Sequence, residues 1–385
     1  MIDVEQFLSL SGMLVHGLLR EAIGYTVQQA IPYYHGIVGY VVEAPMLWIR
    51  HSRFPILFIA YDQRRPEILE DVVKQLEMGQ ATEYFALLVV VPTRAGTGNE
   101  AEELRHMVAD SVYRHDFVVV DRQHLASIIA QSSAQRLVEI VLEQGIELSS
   151  LSPYVTKGPV PENMFFGREK EIKAITQTIQ HSNYALVGGR QIGKSSILLK
   201  LTKLLDRDPR YRALYINCED KFDYDDLFQS LPDEAQLPAG SHEPLAFRQL
   251  AHRLQRGSAP GRLVFLLDEV DELLAFDVQP ENRMQLFKSF RSLSHEGACR
   301  FVFSGGRTLY QHLHDSQSPF FNFCQELALG PLLAKSVAEI VSKPMHQLGI
   351  ELPDEDLFVE RLIEVSSCHP NLVQWLCDRL VRGAV

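Results

Sequence analysis

In the first 150 positions, apolar residues occur either at helical spacing or in short runs typical of strands. Phe7, Leu10, Leu14 and Leu18 recur at helical spacing and predict an opening amphipathic helix. Short apolar runs bounded by turn residues predict strands, and a one-sided apolar stripe between a proline and a glycine predicts a second helix. The expected strands are 36–43, 46–51, 55–61, 85–91 and 117–121, and the further helices are 66–79, 100–112, 124–130 and 134–143. This pattern predicts an N-terminal α/β module over residues 1–148.

A second α/β pattern follows a stretch without any apolar period. Residues 149–162 are rich in Ser, Pro and Gly and are expected to link two domains. Beyond them, strands expected at 185–187, 212–218, 262–268, 300–304 and 326–329 alternate with helices, which is typical of a parallel sheet. The end of the chain is wholly helical, at 335–348, 354–366 and 370–381. We therefore expect an α/β domain over residues 163–330 and a small helical lid over residues 331–385.

One glycine-rich stretch lies between a predicted strand and a predicted helix. Gly188-x-x-x-x-Gly193-Lys194-Ser195 has the spacing of a P-loop. Backbone N–H groups of such a loop and of the helix N-terminus wrap a phosphate. Lys194 is expected to reach the β- and γ-phosphates, and Ser195 is expected to offer a hydroxyl to Mg²⁺. The sequence thus predicts ATP or ADP and Mg²⁺ as cofactors. The candidate binding residues of the loop are Gly189, Arg190, Gln191, Ile192, Gly193, Lys194, Ser195 and Ser196.

A hydrophobic strand that ends in two acids supplies the second half of the predicted site. The strand at 262–268 ends in Asp268-Glu269, a Walker B pattern. Asp268 is expected to hold Mg²⁺ opposite Ser195, and Glu269 to polarise the attacking water as a catalytic base. This second acid is typical of P-loop enzymes that hydrolyse ATP rather than of kinases. Ser304, at the end of the next strand, is expected to help position water. Arg307 either faces the γ-phosphate or pairs with a nearby acid.

Composition excludes some classes of protein. The chain has 385 residues, 46% of them hydrophobic and 22% charged, which is ordinary for a globular protein of two or three domains. A net charge of −12 argues against binding to nucleic acid through bulk charge, although a local basic groove is compatible with it. The longest apolar run, Phe85–Val91, is too short to span a membrane. The five scattered cysteines and an N-terminus without a basic leader predict a cytoplasmic protein with reduced thiols.

A pair of motifs carries a family resemblance. Phe166-Gly-Arg-Glu169 followed by Gly188-Gly-Arg-Gln-Ile-Gly-Lys-Ser-Ser196 resembles the start of the STAND-type ATPases and their archaeal-ATPase relatives, a signalling branch near the AAA+ proteins. The resemblance implies a sheet of strand order 5-1-4-3-2 and a slow ATPase that acts as a regulatory switch. It covers roughly residues 160–381.

The segments on either side of the P-loop domain extend the predicted site. Met164 and Phe165 are either an apolar plug or a wall for the adenine ring, with Arg168 near the phosphates. His369 and Pro370 resemble the end of the family's Gly-His-Pro string, which closes over the nucleotide. The alternative is that Pro370 only starts a helix and His369 only caps it. Cys368 stands where that string usually has glycine. STAND proteins usually continue into a winged helix and a sensing repeat array, so residues 1–150 must carry sensing or output if this chain is whole.

The N-terminal module has a resemblance of its own. Its order α-β-β-β-α-β-α-β resembles the restriction-endonuclease-like core, whose PD-(D/E)-x-K site needs two carboxylates and a lysine at the ends of the second and third strands. Here the predicted strands end in Ile49-Arg50-His51 and Ile59-Ala60-Tyr61-Asp62, without an acid-x-lysine triplet. We therefore expect a degenerate site and a module that binds a partner protein or a second copy. A nucleic-acid-binding or nuclease effector under ATPase control, for example in defence against foreign DNA, is the alternative.

Overall fold

Two five-stranded sheets organise the chain in the computed structural model, which describes residues 4–45, 47, 50, 52–60, 67–79, 85–91, 99–109, 116–231, 244–256 and 261–383. The strands are β1 Thr26–Tyr34, β2 Ile37–Glu43, β3 Arg53–Ala60, β4 Phe85–Val91, β5 Asp116–Val120, β6 Asn183–Gly188, β7 Tyr211–Asn217, β8 Arg262–Asp268, β9 Cys299–Gly305 and β10 Cys324–Leu329. The helices of the N-terminal module are α1 Val4–Met13, continued by a π-helical turn Leu14–Leu18, α2 Leu19–Ile23, α3 Ile68–Met78, α4 Glu100–Ala109, α5 Arg122–Gln131, α6 Ala134–Glu143 and α7 Leu148–Leu151. Those of the rest are α8 Glu169–Thr178, α9 Lys194–Asp206, α10 Tyr224–Gln229, α11 Pro244–Arg256, α12 Asp271–Asp277, α13 Gln285–His295, α14 Arg307–His314, α15 Ala334–Gln347, α16 Glu355–Ser366 and α17 Pro370–Gly383.

The first sheet has the order β1-β2-β3-β4-β5. Strands β1, β2 and β3 form an antiparallel meander, and β4 and β5 run parallel to β3. The predicted succession of helices and strands is confirmed, but one strand was placed wrongly. The first strand is Thr26–Tyr34, and neither Leu47 nor Arg50 of the expected strand 46–51 lies in a strand. Tyr61 and Asp62, at the end of the predicted third strand that lacks an acid-x-lysine triplet, lie outside the described residues.

The wrong placement of this strand has a physical explanation. Strand β1 is an edge strand that exposes most of its side chains and contains Pro32, so it shows no apolar alternation. Leu47 is fully buried although it lies outside any strand, and its carbonyl accepts a hydrogen bond of 2.9 Å from Asn163. A short apolar run of this kind cannot be told from a buried strand by periodicity.

The second sheet has the order β10-β6-β9-β8-β7 and is parallel throughout. This confirms the predicted order 5-1-4-3-2. Helix α9 covers one face, whereas α11, α12, α13 and α14 cover the other face with a cluster rich in phenylalanine. Because the carboxyl ends of parallel strands meet at one edge, the ends of β6, β8 and β9 bring the predicted site residues together.

A single hydrophobic cluster joins the N-terminal module to the helical lid. It runs from one face of the first sheet through helices α5 and α6 and includes Tyr154 and Met164 of the connecting segment. It continues into buried residues of the lid such as Ile340 and Val373. The second sheet packs into two other clusters. The module therefore shares its core with the lid rather than with the sheet that carries the P-loop.

Within the described part of the chain, no helix is both long and apolar enough to cross a membrane. All five cysteines are free, and three of them are buried. Burial raises the pKa of the Cys218, Cys299 and Cys377 thiols to about 12, so these groups stay protonated at neutral pH.

Candidate nucleotide-binding site

The loop between β6 and α9 needs its glycines for two different reasons. A Cβ added at Gly188 would lie 2.8 Å from the carbonyl oxygen of Leu329, where β10 ends. Gly193 has φ = 98°, in the left-handed region that favours glycine, and it begins helix α9. The N-terminal N–H groups of a helix that begins in this way point out of the helix and form an anion site.

A cavity of about 310 Å³ lies in front of this loop. It gathers most of the predicted site residues, namely Met164, Phe165, Arg168, Arg190, Gln191, Ile192, Gly193, Lys194, Ser195, Ser196, Asp268, Glu269 and Pro370. Four predicted residues do not line it, namely Gly189, Ser304, Arg307 and His369. The lining residues that sequence reasoning missed include Val155, Gly158, Pro159 and Val160 of the connecting segment, Tyr215 and Asn217 of β7, and Asn371 and Gln374 of α17.

Lys194 and Glu269 face each other at the mouth of the P-loop. The Nζ of Lys194 lies 3.4 Å from Oε1 of Glu269 and donates a hydrogen bond of 3.2 Å to the carbonyl of Gly189. Glu269 has φ = 51°, a conformation that a residue with a side chain adopts only when its surroundings hold it. Burial raises the pKa of the Glu269 carboxyl above its usual value, against the opposing effect of the Lys194 charge. A carboxylate with a raised pKa is a better proton acceptor, as a catalytic base requires.

Both oxygens of the Asp268 carboxylate accept a hydrogen bond. The hydroxyl of Ser304 donates to Oδ1, and the hydroxyl of Tyr215 donates to Oδ2 at 2.9 Å. The backbone N–H of Glu269 donates to the same Ser304 oxygen at 3.1 Å. Ser304, which lies between the P-loop strand and the Walker B strand as expected, therefore holds both acids. Burial, together with the Asp268 charge, raises the pKa of Tyr215 far above its usual value, so its hydroxyl remains a donor.

The residues at this edge of the sheet fit a magnesium ion. The Ser195 hydroxyl and the Asp268 carboxylate border the same cavity, and a carboxylate has about four lone-pair positions, two of which are used here. Mg²⁺ is usually held by one or two protein oxygens together with substrate phosphates and water.

Arg168 connects the P-loop to the entrance of the lid. Its guanidinium donates to the carbonyls of Ile192 at 3.1 Å and Gly330 at 2.6 Å and forms an ion pair of 3.2 Å with Glu171. Arg168 lines the cavity as predicted, but its donors are bound to the protein itself. Arg307 is exposed at the start of α14 and, among the described residues, neither lines the cavity nor forms an ion pair.

The connecting segment is part of the site rather than a free tether. Its Val160 N–H donates to Ser196 of the P-loop helix at 3.1 Å, and its Val155 N–H donates to Oε1 of Gln374 in the lid, also at 3.1 Å. Asn371 of the lid donates to the carbonyl of Thr156 at 2.9 Å. We call Leu151–Val160 the strap. It forms one wall of the cavity and is hydrogen-bonded to two of its other walls.

These features agree with a comparison with known families. The model of the family described as novel STAND NTPase 1 matches residues 153–373, from the strap to the last lid helix. The chain belongs to this NTPase family. The family match includes all the predicted site residues. It begins within the strap, so the N-terminal module lies outside the matched region.

Solved structures match parts of this chain at low identity and with TM-scores below 0.5. The ORC1 protein of Aeropyrum pernix in complex with DNA is 15% identical, with a TM-score of 0.43 over 58% of this chain and 63% of that one. Domain III of the replication initiation protein DnaA of Thermotoga maritima is 19% identical, with a TM-score of 0.36 over 59% of this chain and 88% of that one. The STAND NTPase thus spans less than two thirds of the ORC1 chain. No curated protein matches it.

Proposed function

We propose that this STAND NTPase binds and slowly hydrolyses ATP, and that the state of the nucleotide controls the position of the lid and of the N-terminal module. The observation that carries the proposal is the strap. Four residues of the strap line the cavity, namely Val155, Gly158, Pro159 and Val160. Val160 also hydrogen-bonds to the P-loop helix, and Val155 and Thr156 hydrogen-bond to lid helix α17. Because the strap contacts the cavity, the P-loop helix and the lid, a nucleotide in the cavity can change the relative stability of two lid positions.

The chemistry assigned to the site uses five polar side chains and two apolar ones. Lys194 binds the β- and γ-phosphates, and Ser195 and Asp268 hold Mg²⁺. Bound Mg²⁺ supplies charge neutralisation on the phosphate oxygens. Glu269 orients the attacking water and accepts its proton, and Ser304 keeps Glu269 in its left-handed conformation through the 3.1 Å hydrogen bond to its N–H. Met164 and Phe165 form an apolar wall suited to the adenine ring.

The hydrophobic cluster shared by the module and the lid determines which parts of the chain move together. Since the module and the lid are joined by one hydrophobic cluster, a displacement of the lid on the P-loop domain carries the module with it. Two hydrogen bonds reinforce this connection between module and lid: the Ser152 hydroxyl donates to Asp378 of the lid at 2.7 Å, and the backbone N–H of Arg50 in the module donates to the carbonyl of Leu151 at 3.0 Å. We assign the boundaries 1–148, 149–162, 163–330 and 331–385 to module, linker, ATPase core and lid.

The output of the switch is assigned to the surface of the module. We propose that ATP-dependent movement exposes this surface to a partner protein or a second copy of the chain. Mass determination with ATP, ADP and no nucleotide tests self-association, and a mass that never changes would exclude it. Incubation with plasmid DNA and Mg²⁺ or Mn²⁺, with and without ATP, tests the alternative of a nuclease or DNA-binding effector. Cleavage, or binding that weakens with salt, would favour that alternative.

The site assignment is tested with two substitutions. Lys194→Ala is expected to weaken Mg-ATP binding severely, because the charge that faces the phosphates is lost. Glu269→Gln is expected to retain ATP binding but to lose most hydrolysis, since the base is removed at nearly constant volume. Binding is followed by calorimetry and hydrolysis by phosphate release. Normal ATP binding by the first variant would refute the site, and normal turnover by the second would refute the role of Glu269.

A further inference from the structure

Tyr215 has no place in the P-loop and Walker B patterns, yet it lies at their meeting point. Strand β7 pairs with β8 so that Tyr215 lies opposite Leu266 and Asn217 lies opposite Asp268. The Tyr215 ring packs against the cluster that contains the P-loop helix. Its hydroxyl reaches along the sheet to Oδ2 of Asp268 at 2.9 Å, and the residue lines the cavity.

The hydrogen bond from Tyr215 completes a pair of donors that hold the Asp268 carboxylate in one orientation. The carboxylate is 1% exposed, and its other oxygen accepts from the Ser304 hydroxyl. A carboxylate held by one donor can still rotate about the bond to its Cβ, whereas donors on both oxygens fix its plane. Tyr215 and Ser304 come from the strands on either side of β8, so the carboxylate is held from both sides.

We propose that Tyr215 is a positioning residue for the Mg²⁺ site, which acts by fixing the orientation of the Asp268 carboxylate. The inference rests on the proposed function, in which Asp268 holds the metal. Groups that orient a metal ligand typically change metal affinity by about 10- to 100-fold when they are removed. Tyr215→Phe removes only the hydroxyl and keeps the ring that packs beside the P-loop helix.

The chain offers a matched control. Tyr224 donates its hydroxyl to the buried carboxylate of Asp277, so Tyr224→Phe removes the same kind of bond from the same domain. Neither Tyr224 nor Asp277 lines the cavity. Any loss of metal affinity that comes from general loosening of the domain therefore occurs in both variants.

The test measures Mn²⁺ binding by electron paramagnetic resonance in the presence of a non-hydrolysable ATP analogue. Tyr215→Phe is expected to bind Mn²⁺ about 10- to 100-fold more weakly than wild type. We expect its affinity for the analogue without metal to be unchanged, and Tyr224→Phe to bind Mn²⁺ as wild type does. Equal Mn²⁺ affinity in Tyr215→Phe and wild type, or equal losses in the two tyrosine variants, would overturn the inference.

A third variant separates this inference from the proposed function. Asp268→Asn is expected to lose Mn²⁺ binding almost completely. If Asp268→Asn binds Mn²⁺ normally, the assignment of Asp268 as a metal ligand fails, and the role of Tyr215 fails with it. If Asp268→Asn loses the metal while Tyr215→Phe does not, only the role of Tyr215 is wrong.

Discussion

Replacing Gln374 with methionine separates the lid from the strap while nearly preserving side-chain length and volume. Gln374 is 3% exposed, and its Oε1 accepts the Val155 N–H at 3.1 Å. A donor left without its acceptor costs about 1–3 kcal/mol when it is buried. Val155 is only half-buried, so water reaches part of the freed group and the lower end applies. A loss of about 1 kcal/mol is about a fivefold change in an equilibrium constant.

The loss of the hydrogen bond between Gln374 and Val155 is expected to affect two measurements. Because Gln374 and the strap that it holds both line the cavity, Gln374→Met should weaken ATP binding by about fivefold in calorimetry. Hydrogen exchange of the strap amides should become faster in the same variant. Leu380→Ala is the control, since Leu380 lies on the same helix but is 44% exposed. Faster exchange of the strap with unchanged ATP affinity would refute the claim that the strap couples the lid to ATP binding.

Two further predictions concern pH and backbone strain. The acid limb of the pH profile of kcat/KM should lie above the ordinary range of a glutamate, because burial raises the pKa of Glu269 and the base must be deprotonated. A limb within the ordinary range would contradict Glu269 as the base. Ser367→Gly should raise thermal stability by about 1 kcal/mol, because Ser367 is exposed and has φ = 49°, which costs a non-glycine residue about 1–2 kcal/mol. Glu360→Gly, within helix α16, should instead lower it, and two variants that change in the same direction would contradict the strain argument.

The second half of the chain could be predicted because its signals are local. The P-loop needs glycine at Gly188 and Gly193 for close approach and positive φ, and Asp268 follows an unbroken apolar strand. The strand order also follows from the resemblance carried by these motifs. Each motif lies within about ten neighbouring residues and can be recognised from the sequence, although the carbonyl that Gly188 approaches belongs to the distant Leu329.

The missed features depend on contacts between distant residues. The strap has no periodicity, and its role is created by Ser196, Asn371 and Gln374, which come from other parts of the chain. In the sequence, Tyr215 cannot be distinguished from other strand residues. Only the register of β7 on β8 brings its hydroxyl to Asp268. The positive φ of Cys368, 59°, did have a sequence signal, since Cys368 stands where the family usually has glycine.

The central claim is that the module and the lid move as one body on the P-loop domain when ATP binds. Spin labels are placed on exposed positions with Ala130→Cys in the module, Gln311→Cys in the P-loop domain and Glu360→Cys in the lid. The partly exposed native cysteines are removed with Cys324→Ser and Cys368→Ser. Pulsed electron paramagnetic resonance measures the distances between the spin labels at 130 and 311 and between those at 130 and 360. The measurements are made without nucleotide, with ADP, and with ATP in the Glu269→Gln background.

The account predicts that the 130–311 distance differs between the ATP and ADP states while the 130–360 distance stays constant. A 130–311 distance that is the same in all three states would contradict the switch.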